Sequence, residues 1–117
     1  MIVLAINQRV FDGDEQSFYA FRSTVQCPSC GKEIVFCAGD MSPIEDMDLA
    51  SLPKGFEKKL NLRHRAGETF FENHKGLRLY AIQCPCNNCS ARLMVVAGIG
   101  EVQPSRFNVV IEGILVL

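Results

Sequence analysis

The sequence predicts a single α+β domain, mainly β, over residues 1–117. Three observations support this prediction. A Cys-x-x-Cys pair at 27–30 recurs at 86–89 in similar surroundings. Both ends of the chain are rich in β-branched and other aliphatic residues, which favour strands. The segment at about 40–76 carries helix-start signals instead. We therefore expect two related β-hairpins, a short helical insert at about 40–76, and terminal β-strands.

Residues 1–11 and 107–117 predict the first and last strands of the fold. The first strand ends at Asp12-Gly13-Asp14-Glu15, where the Asp-Gly pair predicts a turn. Apolar residues in both segments follow one another without alternation, which indicates burial on both faces or a partner on one face. We expect the two strands to lie side by side. Any apolar face left open then becomes a surface for a homodimer or another partner.

The two hairpins are predicted from an internal repeat. With Cys86 aligned on Cys27, residues of similar character coincide on both sides of the cysteines. The aligned pairs are Phe18 with Leu77, Phe21 with Tyr80, Ile34 with Leu93, Val35 with Met94, Phe36 with Val95, Ala38 with Ala97 and Gly39 with Gly98. Each copy therefore predicts a strand, a tight turn carrying two thiols, and a returning strand. The expected strands are 17–26 and 32–38 in the first copy, and 77–83 and 91–97 in the second, which stops at Gly98-Ile99-Gly100.

The insert carries two helix signals and one strand signal. Ser42-Pro43-Ile44-Glu45 matches a capping box with proline at the first helical position, and it predicts a helix from Pro43 to about Leu52. Apolar residues in 56–62 are spaced as on one side of a second short helix. Residues 68–72 predict a strand, and 73–76 predict the turn into the second hairpin.

The spacing of the cysteines predicts one metal site. Two thiolates separated by two residues in a tight turn can both reach one Zn²⁺ at about 2.3 Å, and a second such turn completes a tetrahedron of four sulfurs. Two pairs in matching hairpins are a much stronger signal than one pair. The predicted ligands of a single structural Zn²⁺ ion are Cys27, Cys30, Cys86 and Cys89.

The other two cysteines, Cys37 and Cys84, fall opposite valines in the repeat. Free cysteine behaves as a small buried hydrophobe, and this is the expected role of both. Two alternatives stay open: Cys84 can replace Cys86 as a ligand, and iron can replace zinc, because tetrahedral sulfur suits both metals. Thioredoxin-like redox chemistry is disfavoured because the residues after Cys30 favour a strand, not a helix. Disulfides are disfavoured because the N-terminus lacks the basic region of a signal peptide.

The composition, with 48% hydrophobic and 21% charged residues, is typical of a soluble globular protein. No apolar run reaches the length of about eighteen residues that a membrane span needs. We therefore expect a cytoplasmic protein without membrane association. The formal net charge of −1 gives no excess of positive charge for phosphate backbones, which weakens a nucleic-acid role.

Charge is segregated within the insert. Acidic residues come first, and basic residues follow between 54 and 65 with only Glu57 opposing them. The candidate partner-binding residues are Lys54, Lys58, Lys59, Arg63 and Arg65. The interpretation that the charge pattern favours over a binding patch is two solvated helix faces, which are able to pair with each other, since many short Lys/Arg clusters bind nothing. His64 and His74 are expected at the surface.

The cysteine pattern resembles the zinc-ribbon superfamily. Cys27-Pro28-Ser29-Cys30-Gly31 with the distant pair Cys86-Asn87-Asn88-Cys89 also resembles, more loosely, the bacterial CpXC-type domains, in which two Cys-Pro-x-Cys pairs flank a longer, partly helical insert. The resemblance covers mainly residues 18–39 and 77–98, and it implies a four-cysteine zinc site. The second pair departs from the pattern, because Pro85 precedes the cysteine instead of following it. The resemblance implies no activity.

Catalysis is not expected, because four cysteines close the coordination shell that a catalytic zinc leaves open. No recognisable constellation of catalytic residues occurs in the sequence. The expected function is a zinc-stabilised protein-binding module, such as an inhibitor, an immunity-type protein or an adaptor. The alternative is a nucleic-acid-binding zinc ribbon that uses the basic insert 54–65. Residues on the hairpins that could assist it are Lys32, Arg92, Phe18 and Tyr19, since aromatic side chains can stack on bases.

Overall fold

The computed structural model describes residues 2–64, 67 and 70–117, which form two antiparallel sheets with few helices. In chain order the elements are β1 (Ile2–Gly13), α1 (Glu15–Ala20), β2 (Arg22–Gln26), β3 (Glu33–Cys37), β4 (Ser42–Pro43), α2 (Phe56–Lys59), β5 (Arg63–His64), β6 (Phe71–Glu72), β7 (Arg78–Gln83), β8 (Leu93–Gln103) and β9 (Arg106–Val116). Short 3-10 turns lie at Ala38–Asp40, Ile44–Asp46 and Leu49–Ser51. The larger sheet has the order β1-β9-β8-β7-β6-β5, with β4 paired to β7, and β2 and β3 form a separate ribbon. None of the helices described is long and apolar enough to cross a membrane.

The terminal strands lie side by side, as the sequence predicts. Strand β1 pairs with β9 in antiparallel register from Ile2 opposite Val116 to Gly13 opposite Phe107. Strand β9 is largely buried, whereas β1 is mostly exposed, so for β1 the alternative of a partner on one face stays a prediction. Strand β1 is an edge strand, and the side chain of Ile2 is 54% exposed.

Strand β8 lies inside the sheet and is buried on both faces. Its alternate residues pack into two different hydrophobic clusters. One cluster takes Leu93, Val95, Ala97 and Ile99, and the other takes Met94 and Val96. This two-sided burial explains why the sequence of β8 shows an unbroken apolar run where a half-exposed strand would alternate.

The predicted stop at Gly98-Ile99-Gly100 is wrong, because β8 continues to Gln103. A Cβ atom on Gly98 would lie 2.6 Å from Nδ2 of Asn73, so glycine here makes room for a buried side chain. That Nδ2 donates to Oε1 of Glu112 at 2.7 Å, and Asn73 Oδ1 accepts from the backbone N–H of Leu77 at 2.9 Å. The glycine therefore marks a close approach inside the sheet.

The two clusters lie on opposite faces of the larger sheet. On one face the β2–β3 ribbon contributes Val25 and Phe36. On the other face the insert contributes buried apolar side chains, namely Ile44, Leu52, Phe56, Leu60, Leu62 and Phe71. The insert is therefore one of three packed layers of the fold, and it supplies six of the eleven buried residues of this second cluster.

The strand predicted from residue 17 is wrong over its first half, since α1 occupies Glu15–Ala20. Asp14 is its N-cap, because the Asp14 side chain accepts from the backbone N–H of Ser17 at 2.8 Å. The helix places Phe18 between the rings of Phe11 and Phe107, with centroid distances of 6.2 and 5.8 Å. The turn predicted at Asp12-Gly13-Asp14-Glu15 is therefore wrong, because Asp12 and Gly13 still belong to β1 and Asp14 caps the helix.

The α-helix predicted from Pro43 to about Leu52 is also wrong. Pro43 lies in β4 opposite Tyr80, and two short 3-10 turns follow it. The Glu45 carboxylate does not complete a capping box with Ser42, because it accepts instead from the backbone N–H of Phe71 at 2.6 Å. A tertiary contact therefore replaces the local one.

The second short helix is confirmed as the single turn α2, Phe56–Lys59. Of the strand predicted at 68–72, Phe71–Glu72 is present as β6, whereas Glu68 and Thr69 lie outside the described residues.

Candidate metal centre

The two Cys-x-x-Cys turns have the same backbone geometry. The N–H of Gly31 donates to the carbonyl of Cys27 at 2.7 Å, and the N–H of Ser90 donates to the carbonyl of Cys86 at 3.0 Å. In both turns the N–H of the first cysteine donates to the carbonyl five residues later, at 2.9 Å. Gly31 and Ser90 both have positive φ, 78° and 63°, a conformation that glycine adopts at little cost. The aligned positions of the repeat therefore have matching conformations.

The strands that flank the turns also share their register. Val25 in β2 lies opposite Ile34 in β3. The aligned residues of the second copy are connected in the same way, since the N–H of Cys84 donates to the carbonyl of Leu93 at 2.8 Å. One turn thus closes the end of the ribbon, and the other closes the β7–β8 end of the larger sheet.

Four sulfur atoms meet where these two ends approach each other. The Sγ atoms of Cys27, Cys30, Cys86 and Cys89 all lie within 4.8 Å of one another. The Cys27–Cys89 and Cys30–Cys86 sulfur pairs are each 3.6 Å apart. A tetrahedron with metal–sulfur bonds of about 2.3 Å has sulfur–sulfur edges of about 3.8 Å. The four cysteines are free, and they can hold one metal ion.

The cluster lies at the surface with one side in the core. Cys27 and Cys86, the first cysteines of the two turns, are buried, whereas Cys30 and Cys89 are exposed. Each turn thus supplies one ligand from the protein interior and one from the solvent side. The buried pair fixes the position of the site, and the exposed pair leaves a path for a metal ion to enter.

Hydrogen bonds favour ionisation of the first turn. The side chain of Asn88 and then the backbone N–H of Lys32 lower the pKa of Cys30 to about 6. Burial opposes ionisation of Cys27, but N–H groups of Cys30 and Ser29 outweigh it and lower the pKa of that thiol. Metal ligands must be thiolates, so these donors prepare the turn to bind a cation.

The contribution of Asn88 is one that the sequence reasoning missed. Asn88 occupies a middle position of the second pair, yet its side chain acts on a cysteine of the first pair. An asparagine at such a position is a weak sequence signal, because the residue that its side chain contacts depends on how the two turns face each other.

In the absence of a cation, the thiol of Cys89 resists ionisation. The N–H of Ala91 favours the Cys89 thiolate, but burial of the sulfur and the three neighbouring sulfurs outweigh it and raise the pKa of Cys89 to about 12. Four adjacent thiolates repel one another, and a divalent cation removes that repulsion. The donor set therefore fits a metal ion better than it fits four free thiols.

Neither remaining cysteine belongs to the cluster. Cys84 is buried, and burial raises the pKa of its thiol, as expected for a small hydrophobe. The cluster contains Cys86, so the arrangement with Cys84 as the ligand is not the one observed. Cys37 is only partly buried, with Sγ 3.9 Å from the carbonyl of Tyr19.

The described basic residues of the insert differ in their surroundings. Lys54, Lys58 and Lys59 are exposed on and beside α2, whereas Arg63 forms an ion pair with Glu72 at 2.9 Å. Arg65 lies outside the described residues.

The pairing of acidic with basic segments of the insert is not observed in the part of the chain that the structure describes. No ion pair there joins Asp40, Asp46 or Asp48 to a lysine of the insert, and the Glu45 carboxylate lies 3.7 Å from Arg78 instead. The predicted partner-binding lysines therefore remain accessible to a ligand. His64 and His74 are exposed, as expected.

Comparison with known proteins adds no relative. No family model matches the chain, and no curated protein or solved structure matches it either. The resemblance to zinc ribbons and CpXC-type domains rests on the cysteine pattern, and what identifies this chain is a cluster of four cysteines, set in a mainly β fold, that can bind a metal ion.

Proposed function

We propose that this chain is a small, non-catalytic protein-binding module stabilised by one structural Zn²⁺ ion. The observation that carries the proposal is the four-sulfur cluster, whose distances fit tetrahedral coordination. Four thiolates fill the coordination shell of zinc and leave no position for water or substrate. The metal then stabilises the fold, and the surface of the protein binds the partner.

The position of the cluster supports a structural role for the metal. The β2–β3 ribbon shares no strand pairing with the larger sheet among the described residues. A two-stranded hairpin is at best marginally stable by itself. A metal ion held by two cysteines from each sheet would fasten the ribbon to the rest of the domain.

A protein partner is supported by charge and by the surface. The net charge is −1, and the four thiolates of a zinc-bound form would make it more negative. Exposed large hydrophobic side chains include Ile2, Leu4 and Ile6 on the edge strand β1, and Tyr19 and Val35 elsewhere. Such surfaces serve inhibitors, immunity-type proteins and adaptors alike.

Native mass spectrometry before and after chelation tests the metal half of this proposal. We expect one zinc ion per chain. A metal-free chain whose mass is lowered by pairs of hydrogens would replace zinc with disulfides. The presence of iron would correct the identity of the metal and leave its structural role intact.

Affinity capture from a cell extract tests the partner half. The insert cannot be deleted for this purpose, because Ile44, Leu52, Phe56 and Leu60 are buried in the core. A surface variant, Lys54→Glu with Lys58→Glu and Lys59→Glu, tests the basic residues without touching that core. We expect a protein to be captured, and nuclease treatment should not release it. Loss of this capture in the variant would assign the interface to α2.

The alternative function, a nucleic-acid-binding zinc ribbon, is favoured by the same three exposed lysines and by Tyr19, which is 64% exposed. Binding of a fluorescent single-stranded oligonucleotide tests it. If nucleic acid is the ligand, Lys58→Glu with Lys59→Glu abolishes binding, and log affinity falls steeply with log salt. A flat salt response would exclude this function.

A further inference from the structure

We propose that the four-cysteine cluster is also a redox switch, in which a peroxide converts the four thiolates into two disulfide bonds and the protein releases its metal ion. These bonds join the β2–β3 ribbon to the larger sheet, so the ribbon stays attached after the ion has left. The bonded pairs are Cys27 with Cys89 and Cys30 with Cys86. The inference rests on the proposed function, because it describes the regulation of the same metal site.

The pairing follows from the sulfur contacts of the cluster. Two pairs of Sγ atoms are in contact at 3.6 Å, and both pairs join one turn to the other. The two pairs have no cysteine in common, so both disulfides can form in the same molecule. A disulfide bond is about 2.05 Å long, so each pair of sulfurs has to close by only about 1.5 Å.

Each contact joins a cysteine that solvent reaches to one that it does not. Cys30 and Cys89 are exposed. Their contact partners, Cys86 and Cys27, are buried. A peroxide therefore meets the exposed sulfur first, and a shielded second sulfur lies beside it. Redox-sensing cysteines have this arrangement, with an accessible reactive thiol next to a resolving one.

The reaction balances with a peroxide as the only oxidant. The exposed thiolate attacks one oxygen of hydrogen peroxide, the O–O bond breaks, hydroxide leaves, and the sulfur becomes a sulfenic acid. The buried thiolate attacks that sulfur, the S–O bond breaks, and a second hydroxide leaves as the disulfide forms. Two protons from solvent convert both hydroxides to water. The two oxygens of one peroxide thus gain the two electrons that two sulfurs lose, and the full cluster consumes two peroxides.

The oxidised cluster no longer binds the ion, because metal ligands must be thiolates. Packing then favours bonds between the turns over bonds within one turn. The ribbon shares no strand pairing with the larger sheet among the described residues, but it buries Val25 and Phe36 against that sheet. A disulfide within each turn would leave the ribbon unfastened and expose these side chains to water. Bonds between the turns keep them buried.

The two remaining cysteines lie outside the switch. The cluster contains neither Cys37 nor Cys84. Cys84 is buried, and the sulfur of Cys37 lies 3.9 Å from the backbone carbonyl of Tyr19. Replacing both by valine leaves four cysteines and simplifies the assignment of their pairing.

Oxidation of the zinc-loaded protein tests the proposal. The Cys37→Val, Cys84→Val variant and the wild type are reduced, loaded with zinc and treated with hydrogen peroxide. A zinc indicator measures release of the ion, and intact mass counts the hydrogens lost. Trypsin, used without a reductant, then gives two peptides that carry the cluster, residues 23–32 and 79–92. Bonds between the turns link these peptides, whereas bonds within a turn leave them separate.

We expect release of the zinc ion, loss of four hydrogens and one linked pair of peptides. Fragmentation of the linked pair between Cys27 and Cys30 should assign Cys27 to Cys89. Hydrogen–deuterium exchange of residues 22–37 should stay within about threefold of the zinc-loaded rate, whereas the chelated, reduced protein exchanges at least about 100-fold faster. A reductant with added zinc should restore the starting state.

Four results would overturn the proposal: separate peptides after oxidation, zinc retained with an unchanged mass, sulfinic acids in place of disulfides, or exchange in the oxidised ribbon as fast as after chelation. Failure of the proposed function differs, because it is detected before peroxide is added. A protein that holds one zinc ion and a protected ribbon, and then gives one of these results, keeps its structural metal and loses only the switch. A protein that binds no zinc at the start refutes both.

Discussion

Removal of the metal should release the β2–β3 ribbon while the larger sheet stays folded. Structural zinc contributes roughly 10–16 kcal/mol to the folding of small domains. Without it, the ribbon is held mainly by two buried side chains, Val25 and Phe36, which contribute about 1.5–3 kcal/mol each. Ordering the backbone of β2 and β3, five residues each, costs about 1–2 kcal/mol per residue. The burial of two side chains does not offset that cost, so the ribbon should open.

The larger sheet does not depend on the metal in the same way. Strands β8 and β9 pair over most of their length and are buried in both clusters. Hydrogen–deuterium exchange with mass spectrometry, before and after a strong chelator, separates the two regions. Residues 22–37 should exchange at least about 100-fold faster, which corresponds to about 2.8 kcal/mol. Residues 93–99 and 107–115 should keep most of their protection.

Serine in place of a ligand should reproduce the effect of chelation. The replacements are Cys27→Ser, Cys30→Ser, Cys86→Ser and Cys89→Ser, with Cys84→Val as the matched control outside the cluster. Equal loss of protection in the ribbon and in β8–β9 would show that the metal stabilises the whole domain as one unit. Unchanged exchange in both regions would show that the cluster does not hold the ribbon at all.

Three further predictions concern side chains outside the cysteine cluster. Asn73→Ala should destabilise the fold by about 3 kcal/mol in urea denaturation. The reason is that it removes one hydrogen bond to the Glu112 carboxylate and two from backbone N–H groups. A decrease in the free energy of unfolding below about 1 kcal/mol would refute this. Burial raises the pKa of Glu112 above its ordinary value of 4.5 in the folded state. The unfolded chain therefore ionises first, and stability is lost as pH rises from that ordinary value to the raised pKa of the folded state. Glu112→Gln should accordingly stabilise the protein at pH 7 but not at about pH 4, and a gain that does not change with pH would contradict the assigned cause. Cys37→Val and Cys84→Val should each change the unfolding free energy by less than about 1.5 kcal/mol and leave metal content unchanged. Loss of metal in either variant would show that Cys37 or Cys84 is wrongly excluded from the metal ligands.

Sequence reasoning succeeds at this protein where the controlling interactions are local. A Cys-x-x-Cys turn needs only a few consecutive residues, so the spacing of the cysteines and the small residues after them indicate the turn wherever it lies. The same four cysteines prove to be neighbours in space. The pairing of the terminal strands was also predicted, from an unbroken apolar segment at each end of the chain, although only β9 is largely buried.

The errors occur where a distant residue overrides a local preference. Glu45 has the position of a capping-box residue, yet it binds the backbone of Phe71. Gly98 has the appearance of a strand end, yet it makes room for Asn73 in the middle of β8. Phe18 alternates as in a strand, yet the rings of Phe11 and Phe107 receive it from a helix. In each case at least one partner is far away in sequence.

The sequence by itself determined which four cysteines lie together, the mainly β class and the pairing of the two ends, because short spacings and runs of apolar residues control these features. Only the tertiary structure decided that the insert forms a layer of the core, that the first hairpin is a separate ribbon, and that each close sulfur contact joins the turn of the ribbon to the turn of the larger sheet. These features depend on how strands distant in sequence approach one another. The free energy of such contacts comes from the whole packed arrangement, and no single segment of the chain encodes it.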